Sequence, residues 1–203
     1  MPSAQLPLCP ICPMSPIPRL RTVQITDEWE PRLQRFFEEN PQYFFEVHGQ
    51  PASPSAARET IQGEPPPGWS FAKKQVIGYV EADGSMAAVA DVITDLLAPG
   101  VWHLGLFIVA TARHGSGDAQ AIMRGLESWA MENGARWLRL GVVKGNARAE
   151  RFWESLGFQD ARIREGVEIG RRKHSMRVMF KPLTGSTREQ YLSLIDRDRP
   201  DDA

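Results

Sequence analysis

His114-Gly115-Ser116-Gly117-Asp118-Ala119 closes an almost unbroken apolar run, Val101 to Ala110, and opens a stretch in which Ile122, Met123, Leu126, Trp129 and Ala130 fall on one helical face. A strand feeding a helix through such a turn leaves backbone amides pointing outward at the positive end of the helix dipole, which is an anion site. Glycine at 115 and 117 lets the backbone take positive φ and lets a phosphate approach without a Cβ in the way. Two spaced glycines also suit an ordinary strand-to-helix turn. A dinucleotide fingerprint would place glycine at 120 and an acidic residue at the end of the next strand; Gln120 stands there and the acid is absent.

Working outward, Asn133-Gly134 supplies a left-handed helix stop, 136–143 alternates as a strand, and 146–156 puts Ala149, Phe152, Trp153 and Leu156 on one helical face. Asn146 is placed to cap that helix and Gly157 to end it. Upstream, 74–81 and 85–94 read as strands joined at Asp83-Gly84, a hairpin signal, and the apolar 101–110 reads as a central strand covered on both faces. A strand is expected over 19–24, and a helix over 27–39 carrying Trp29, Leu33, Phe36 and Phe37 and ended by Pro41. A short helix over 54–62 precedes the Glu64-Pro-Pro-Pro-Gly68 loop. Strands over 161–165 and 175–180 flank a turn at Gly166 to Gly170, and one short helix is expected near Tyr191.

The 203 residues suit one sizeable core rather than two domains. The expected division is a disordered or extended tail over 1–18, which holds six prolines, a folded domain over 19–183 and a polar tail over 184–203. With 24 Lys and Arg against 25 Asp and Glu, no net field advertises nucleic acid or an anionic membrane. The arginines and lysine at 162, 164, 171, 172, 173 and 177 read as a solvated hairpin face or as contacts to an acidic acceptor or a ribose phosphate, so nucleic acid is disfavoured as a partner. No window approaches the about 20 apolar residues of a membrane helix. Two cysteines, Cys9 and Cys12, exclude a disulfide-stapled scaffold and suit a reducing compartment, so a cytoplasmic location is expected. Their spacing resembles a zinc knuckle, but tetrahedral zinc needs about four ligands and no second cysteine pair exists, so no metal is expected.

The run as a whole resembles the GNAT superfamily of N-acetyltransferases. That family's signature is Gln or Arg, two residues, Gly, one residue, then Gly or Ala; the corresponding frame here spans His114 to Ala119. A second family pattern, Asn, two residues, Ala, three residues, Tyr, three residues, Gly-Phe, is similar to Asn146, Ala149, Trp153 and Gly157-Phe158. The resemblance covers residues 101–158 and implies an α/β (α+β) fold: a mixed, largely antiparallel sheet of six to seven strands, about four helices and a splayed central strand pair. It implies acetyl-coenzyme A as cosubstrate, with the pyrophosphate on His114, Gly115, Ser116, Gly117, Asp118 and Ala119 and the pantetheine arm beside Phe107, Ile108 and Val109. Asn146, Ala149, Phe152 and Trp153 would line the far side of the gap between strands 101–110 and 136–143. Three positions depart from the pattern: His114 for Gln or Arg, Asp118 for an apolar residue, and Trp153 where a Tyr is common.

The resemblance implies acetyl transfer to a primary amine of a small molecule or peptide; a non-catalytic acyl-coenzyme A sensor is the alternative, and a homodimer is left open. Because an amine of pKa ~10.4 is almost wholly protonated at neutral pH, a base or water chain must collect its proton. Glu81, Asp91 and His103 on the central strands are the candidates, His103 favoured because its ordinary pKa lies nearest neutrality, and the Val109 amide is the expected oxyanion donor. Asp118 is read as a partner of the helix dipole, and Trp153, whose indole is no proton donor to a thiolate, as packing.

Overall fold

The computed structural model describes residues 12–200. Seven strands form one sheet in the order β1-β2-β3-β4-β5-β7-β6: β1 Arg21–Gln24, β2 Lys73–Val80, β3 Met86–Thr94, β4 Val101–Val109, β5 Trp137–Val143, β6 Gln159–Ile169 and β7 Arg172–Pro182. Every neighbouring pair is antiparallel except β4 and β5. Six α-helices accompany them: α1 Glu30–Glu39, α2 Gln42–His48, α3 Ala56–Gln62, α4 Asp118–Glu132, α5 Ala147–Ser155 and α6 Arg188–Leu194.

The period-2 alternation of strand side chains sorts the apolar residues onto two faces. One face carries Ile77, Tyr79, Ala90, Trp102, Leu104, Leu138 and Leu140, and buries them under Ile122, Met123 and Leu126 of α4 with Trp153 of α5. The opposite face is divided. Val23, Val76, Val89 and Ile108 lie under Leu33, Phe36 and Phe37 of α1, Phe44 of α2 and Ala57 of α3. Val101, Trp137, Val178 and Phe180 lie under Tyr191 of α6 and Ile195. Between those two patches runs a strip of polar residues on β3, β4 and β5: Asp91, His103 and Arg139.

Two irregularities open the middle of the sheet. Parallel pairing of β4 with β5 runs only from Val101↔Trp137 to Leu104↔Leu140; beyond it β4 stays with β3 and β5 stays with β7, so the two edges part. At the same level Val92 pairs with Leu104 while Asp91 pairs with Leu106, leaving Gly105 as an extra residue in a β-bulge. A Cβ on Gly105 would stand 3.0 Å from Asp91 Oδ2, so the carboxylate lies directly over the bulge.

Several expectations are corrected. Of the tail expected over 1–18, residues 1–11 lie outside the described residues, but Pro13 and Ile17 are buried, and the Pro13 carbonyl accepts the Thr22 hydroxyl at 2.6 Å. The segment docks because its prolines pack on α4, where Gly125 leaves room for Pro16. Cys12 is disulfide-bonded, so the argument from scarce cysteines to a reducing compartment loses its support; Cys9 lies outside the described residues. The polar segment after 183 is part of the fold, since Tyr191 and Asp198 are fully buried. The turn expected over 166–170 is mostly strand, and the reversal falls at Gly170-Arg171. The helix α2 was not expected, because Pro41 reads as a terminator; here it is the N-cap of a new helix that ends at Gly49 with φ 71°.

Candidate active site

The turn after β4 holds the geometry its glycines foretell. Gly115 and Gly117 have φ of 83° and 86°, and a Cβ at either would meet nothing within 4 Å, so both amides border open space. Gly117 is the N-cap of α4; the Ser116 hydroxyl accepts the Asp118 amide at 3.2 Å, and among the described residues the amides of Gly117 and Ala119 have no acceptor. An anion placed there completes the helix terminus. The Asp118 carboxylate is turned to arginines instead. Its Oδ2 accepts Arg113 Nη1 at 2.6 Å and Arg19 Nη2 at 3.3 Å, while Arg113 also pairs with Glu81. Burial alone would raise Asp118, but the Arg113 hydrogen bond and charge hold it below the usual carboxylate range. The arginines thus neutralise the acid that would otherwise repel a phosphate.

From this turn a groove runs along the open edge of β4, lined by Phe107, Ile108, Val109, His114, Ala119, Asn146, Arg148, Ala149, Phe152 and Trp153. Ala110 N donates to Ala87 O on β3, so the alternation of an antiparallel strand turns the N–H groups of Val109 and Phe107 to the opposite, unpaired side. His114 fits this edge: its Nε2–H donates to the Val109 carbonyl at 2.9 Å. Asn146 Oδ1 accepts Ala149 N at 3.1 Å and so caps α5, as its position in the chain implied. Trp153 is buried among Phe107, Phe152 and Phe158, with centroids 4.9 to 5.8 Å away, which agrees with its reading as packing. Arg148 is exposed on the rim, a cation that the sequence offered no signal for.

The groove continues into the splay, lined by Leu104, Gly105, Leu106, Phe107, Leu140, Gly141, Val142, Asn146 and Trp153. Tyr43 and Val47 of α2 close it from the other face of the sheet. The β6–β7 hairpin fixes α2 through its C-terminal carbonyls: His174 Nε2–H donates to Val47 O at 2.7 Å, and Arg171 N to His48 O at 3.0 Å. A Cβ at Gly170 would come within 2.7 Å of His48 O, so this approach requires glycine.

The three expected proton acceptors are not brought together. Glu81 lies beside the glycine turn, tied to Arg113. His103 lies on the polar strip, where its Nδ1 accepts Arg139 Nη1 at 3.3 Å. Burial first and the neighbouring Arg139 second push its pKa down to about 3, and its Nδ1 is already engaged by Arg139. Asp91 alone stands at the splay. Burial pushes its carboxyl up to about 6, against the opposing pull of Lys74, whose Nζ is 3.6 Å from Oδ2, and Asp91 Oδ1 is buried with no hydrogen-bond partner. No group of three or more His, Cys, Asp or Glu side chains converges among the described residues, and no helix among them is long and apolar enough to cross a membrane.

The profile of the Acetyltransferase (GNAT) family matches residues 29–158. No curated protein matches the sequence. Among solved structures, the ribosomal-protein-S18-alanine N-acetyltransferase of Escherichia coli superposes with a TM-score of 0.61 at 20% identity, over 83% of this chain and 97% of that one. A GCN5-related N-acetyltransferase from Kribbella flavida gives 0.59 at 23% identity, over 81% and 98%. Spermidine N-acetyltransferase from Vibrio cholerae, solved with CoA and spermine, gives 0.61 at 13% identity, over 86% and 98%. These likenesses share the mixed fold, and the family profile spans the groove, the glycine turn and the splay: the chain belongs to the acetyltransferase (GNAT) family and is an acyltransferase.

Proposed function

We propose that this protein transfers the acetyl group of acetyl-coenzyme A to a primary amine of a small molecule or peptide by direct attack of the amine on the thioester. The observation that carries this reading is the continuity of the groove: free amides at one end, an unpaired strand edge along it, and at the other end a splay with a carboxylate over a bulge. The residues fit the cosubstrate. The open cradle at Gly115 and Gly117 suits a pyrophosphate, with Arg148 as a further cation at the rim. The outward N–H groups of Phe107 and Val109 suit the pantetheine amides and the thioester oxygen.

Asp91 would receive the proton that the amine must lose. A carboxylate with a pKa near 6 is ionised at neutral pH yet far more basic than an exposed aspartate, which suits a general base. Its orphaned Oδ1 has a lone pair ready for an N–H donor. Lys74 keeps the acid from becoming wholly neutral, since its charge opposes the burial. His103 and Glu81 then support the site without touching the reacting atoms.

Thiol release from acetyl-coenzyme A with a panel of amines, set beside calorimetric binding of coenzyme A, tests the reading. Acetyl-coenzyme A binding and amine-dependent thiol release are expected. Binding without release for any amine would favour a non-catalytic sensor, and Gly117→Val with unchanged affinity would remove the turn from the site.

A further inference from the structure

The glycine turn holds more negative charge than its own residues balance. Glu81 and Asp118 share one guanidinium: Arg113 Nη1 donates to Asp118 Oδ2 at 2.6 Å, and its Nη2 pairs with Glu81. Two carboxylates on one cation leave a negative charge over, and Asp118 stands in the chain between Gly117 and Ala119, whose amides have no acceptor among the described residues. That charge opposes a pyrophosphate. Arg19 supplies the missing cation, its Nη2 lying 3.3 Å from the same Asp118 oxygen. Resting on the transfer reading above, we infer that Arg19, held over α4 by the docked segment 13–20, is a positioning residue of the cofactor turn: it balances Asp118 so that the free amides can take the coenzyme A pyrophosphate.

The segment that carries Arg19 is built into the fold. Beyond the bond from Thr22 to the Pro13 carbonyl, Ser15 Oγ donates to the Ile17 carbonyl at 3.0 Å and Leu20 N donates to it at 2.9 Å, which turns the chain into β1. Ile17 and Leu20 are buried in the core that Ile122, Met123 and Leu126 of α4 share. Gly125 leaves room for the crossing, since a Cβ there would stand 3.1 Å from Pro16 Cδ. The family profile begins at residue 29, so Arg19 and its anchors lie outside the span that it matches.

The pair is divided between protein and water. The Asp118 side chain is 12% exposed and that of Arg19 61%, so the guanidinium meets the acid on one side and keeps the rest of its surface in solvent. Burial pushes the Asp118 carboxyl up; Arg113 first and the charge of Arg19 after it draw it down, so the acid is ionised at neutral pH and its charge must be met. An exposed cation of this kind adds little to folding stability, because solvent screens it and fixing a long side chain costs entropy. Its effect falls on what binds alongside: a pyrophosphate brought next to an unbalanced carboxylate is repelled, whereas one brought next to a balanced pair is not.

Arg19→Gln in the full chain, with coenzyme A binding followed by calorimetry, tests the assignment. Affinity is expected to fall roughly 5-fold or more at about 0.02 M salt and by less than about 2-fold at about 0.5 M, since salt screens an exposed charge. The KM for acetyl-coenzyme A should rise in step while kcat at saturation does not fall with it, and Arg19→Lys, which keeps the charge, should recover most of the affinity. In an Asp118→Asn background there is no acid to balance, so Arg19→Gln should then cost less than about 2-fold. A loss that persists at high salt or in that background makes Arg19 a packing residue or a direct phosphate ligand and overturns the proposal, as does an Arg19→Gln protein with the parent's affinity at low salt. Each of these leaves the transfer reading standing. A parent protein that binds no coenzyme A overturns both.

Discussion

Asp91 and Asp198 are both buried carboxylates on the same face of the sheet, and the fold treats them in opposite ways. Asp198 is fully buried and saturated: Arg139 donates Nε at 2.7 Å and Nη2 at 3.0 Å, Arg164 Nη2 at 2.9 Å, and the Tyr191 hydroxyl at 2.5 Å. Burial alone would raise its pKa, but Arg139, with Tyr191 and Arg164, holds it below the ordinary range. Arg197, stacked 3.8 Å above Trp69, closes that cluster from the turn Asp196–Asp198. Asp91 has one cation at 3.6 Å, an orphaned oxygen and a pKa near 6. A buried charge with every lone pair used is a fastening, whereas one left short of partners is held ready for a partner that arrives.

The largest effect should come from breaking the fastening. Asp198→Ala leaves Arg139 buried without its acid, and a loss of about 3–5 kcal/mol by denaturant unfolding is expected. A loss under about 1 kcal/mol would mean that the C-terminal clamp is dispensable.

Asp91→Asn should do the reverse to stability while disabling the chemistry. An acid whose folded pKa lies above its unfolded value makes the fold less stable as pH climbs from about 3.8 to about 6, and the deficit persists above that window. Removing it should therefore add up to about 3 kcal/mol above pH 6, a gain that fades below about pH 4. Over the same range kcat/KM should fall by ~10²-fold or more with coenzyme A affinity kept. A variant both active and no more stable would erase the contrast.

A finer probe is Lys74→Met. Lys74 lowers the Asp91 pKa, so without it the break below which kcat/KM falls more steeply should move from about pH 6 to higher pH. A break that stays in place assigns the base to another group.

His103→Gln should change least. Gln can still accept the Arg139 hydrogen bond, and an imidazole with its pKa pushed down to about 3 does not titrate near neutrality, so a change under ~3-fold is expected and the break should stay. A break that vanished here would restore His103 as the base and reduce Asp91 to an ordinary buried acid.

What could be read from the chain alone follows from local rules. The strand-turn-helix at His114 to Ala119, the Asn146 cap, the Asp83-Gly84 hairpin and the α4 stripe rest on residues near in sequence, where dihedral preference and periodicity act directly. The glycine turn and strand edge that border the groove were legible for the same reason, because they are consecutive in the chain. The surroundings of the candidate acids and of His103 were not. Asp91 stands apart from Glu81 in what surrounds it, Gly105 on β4 and Lys74 on β2. His103 looked the best base because its ordinary pKa is near neutral, but burial beside Arg139, an adjacency set by parallel pairing of β4 with β5, removes that property. Asp198 looked like part of a polar tail until the fold set it against Arg139 and Arg164, 59 and 34 residues away. A residue's backbone conformation is chosen largely by its neighbours in sequence, but its dielectric surroundings and charge partners come from elements distant in the chain, so only the tertiary structure could decide which buried acid has every lone pair used and which is left short of partners.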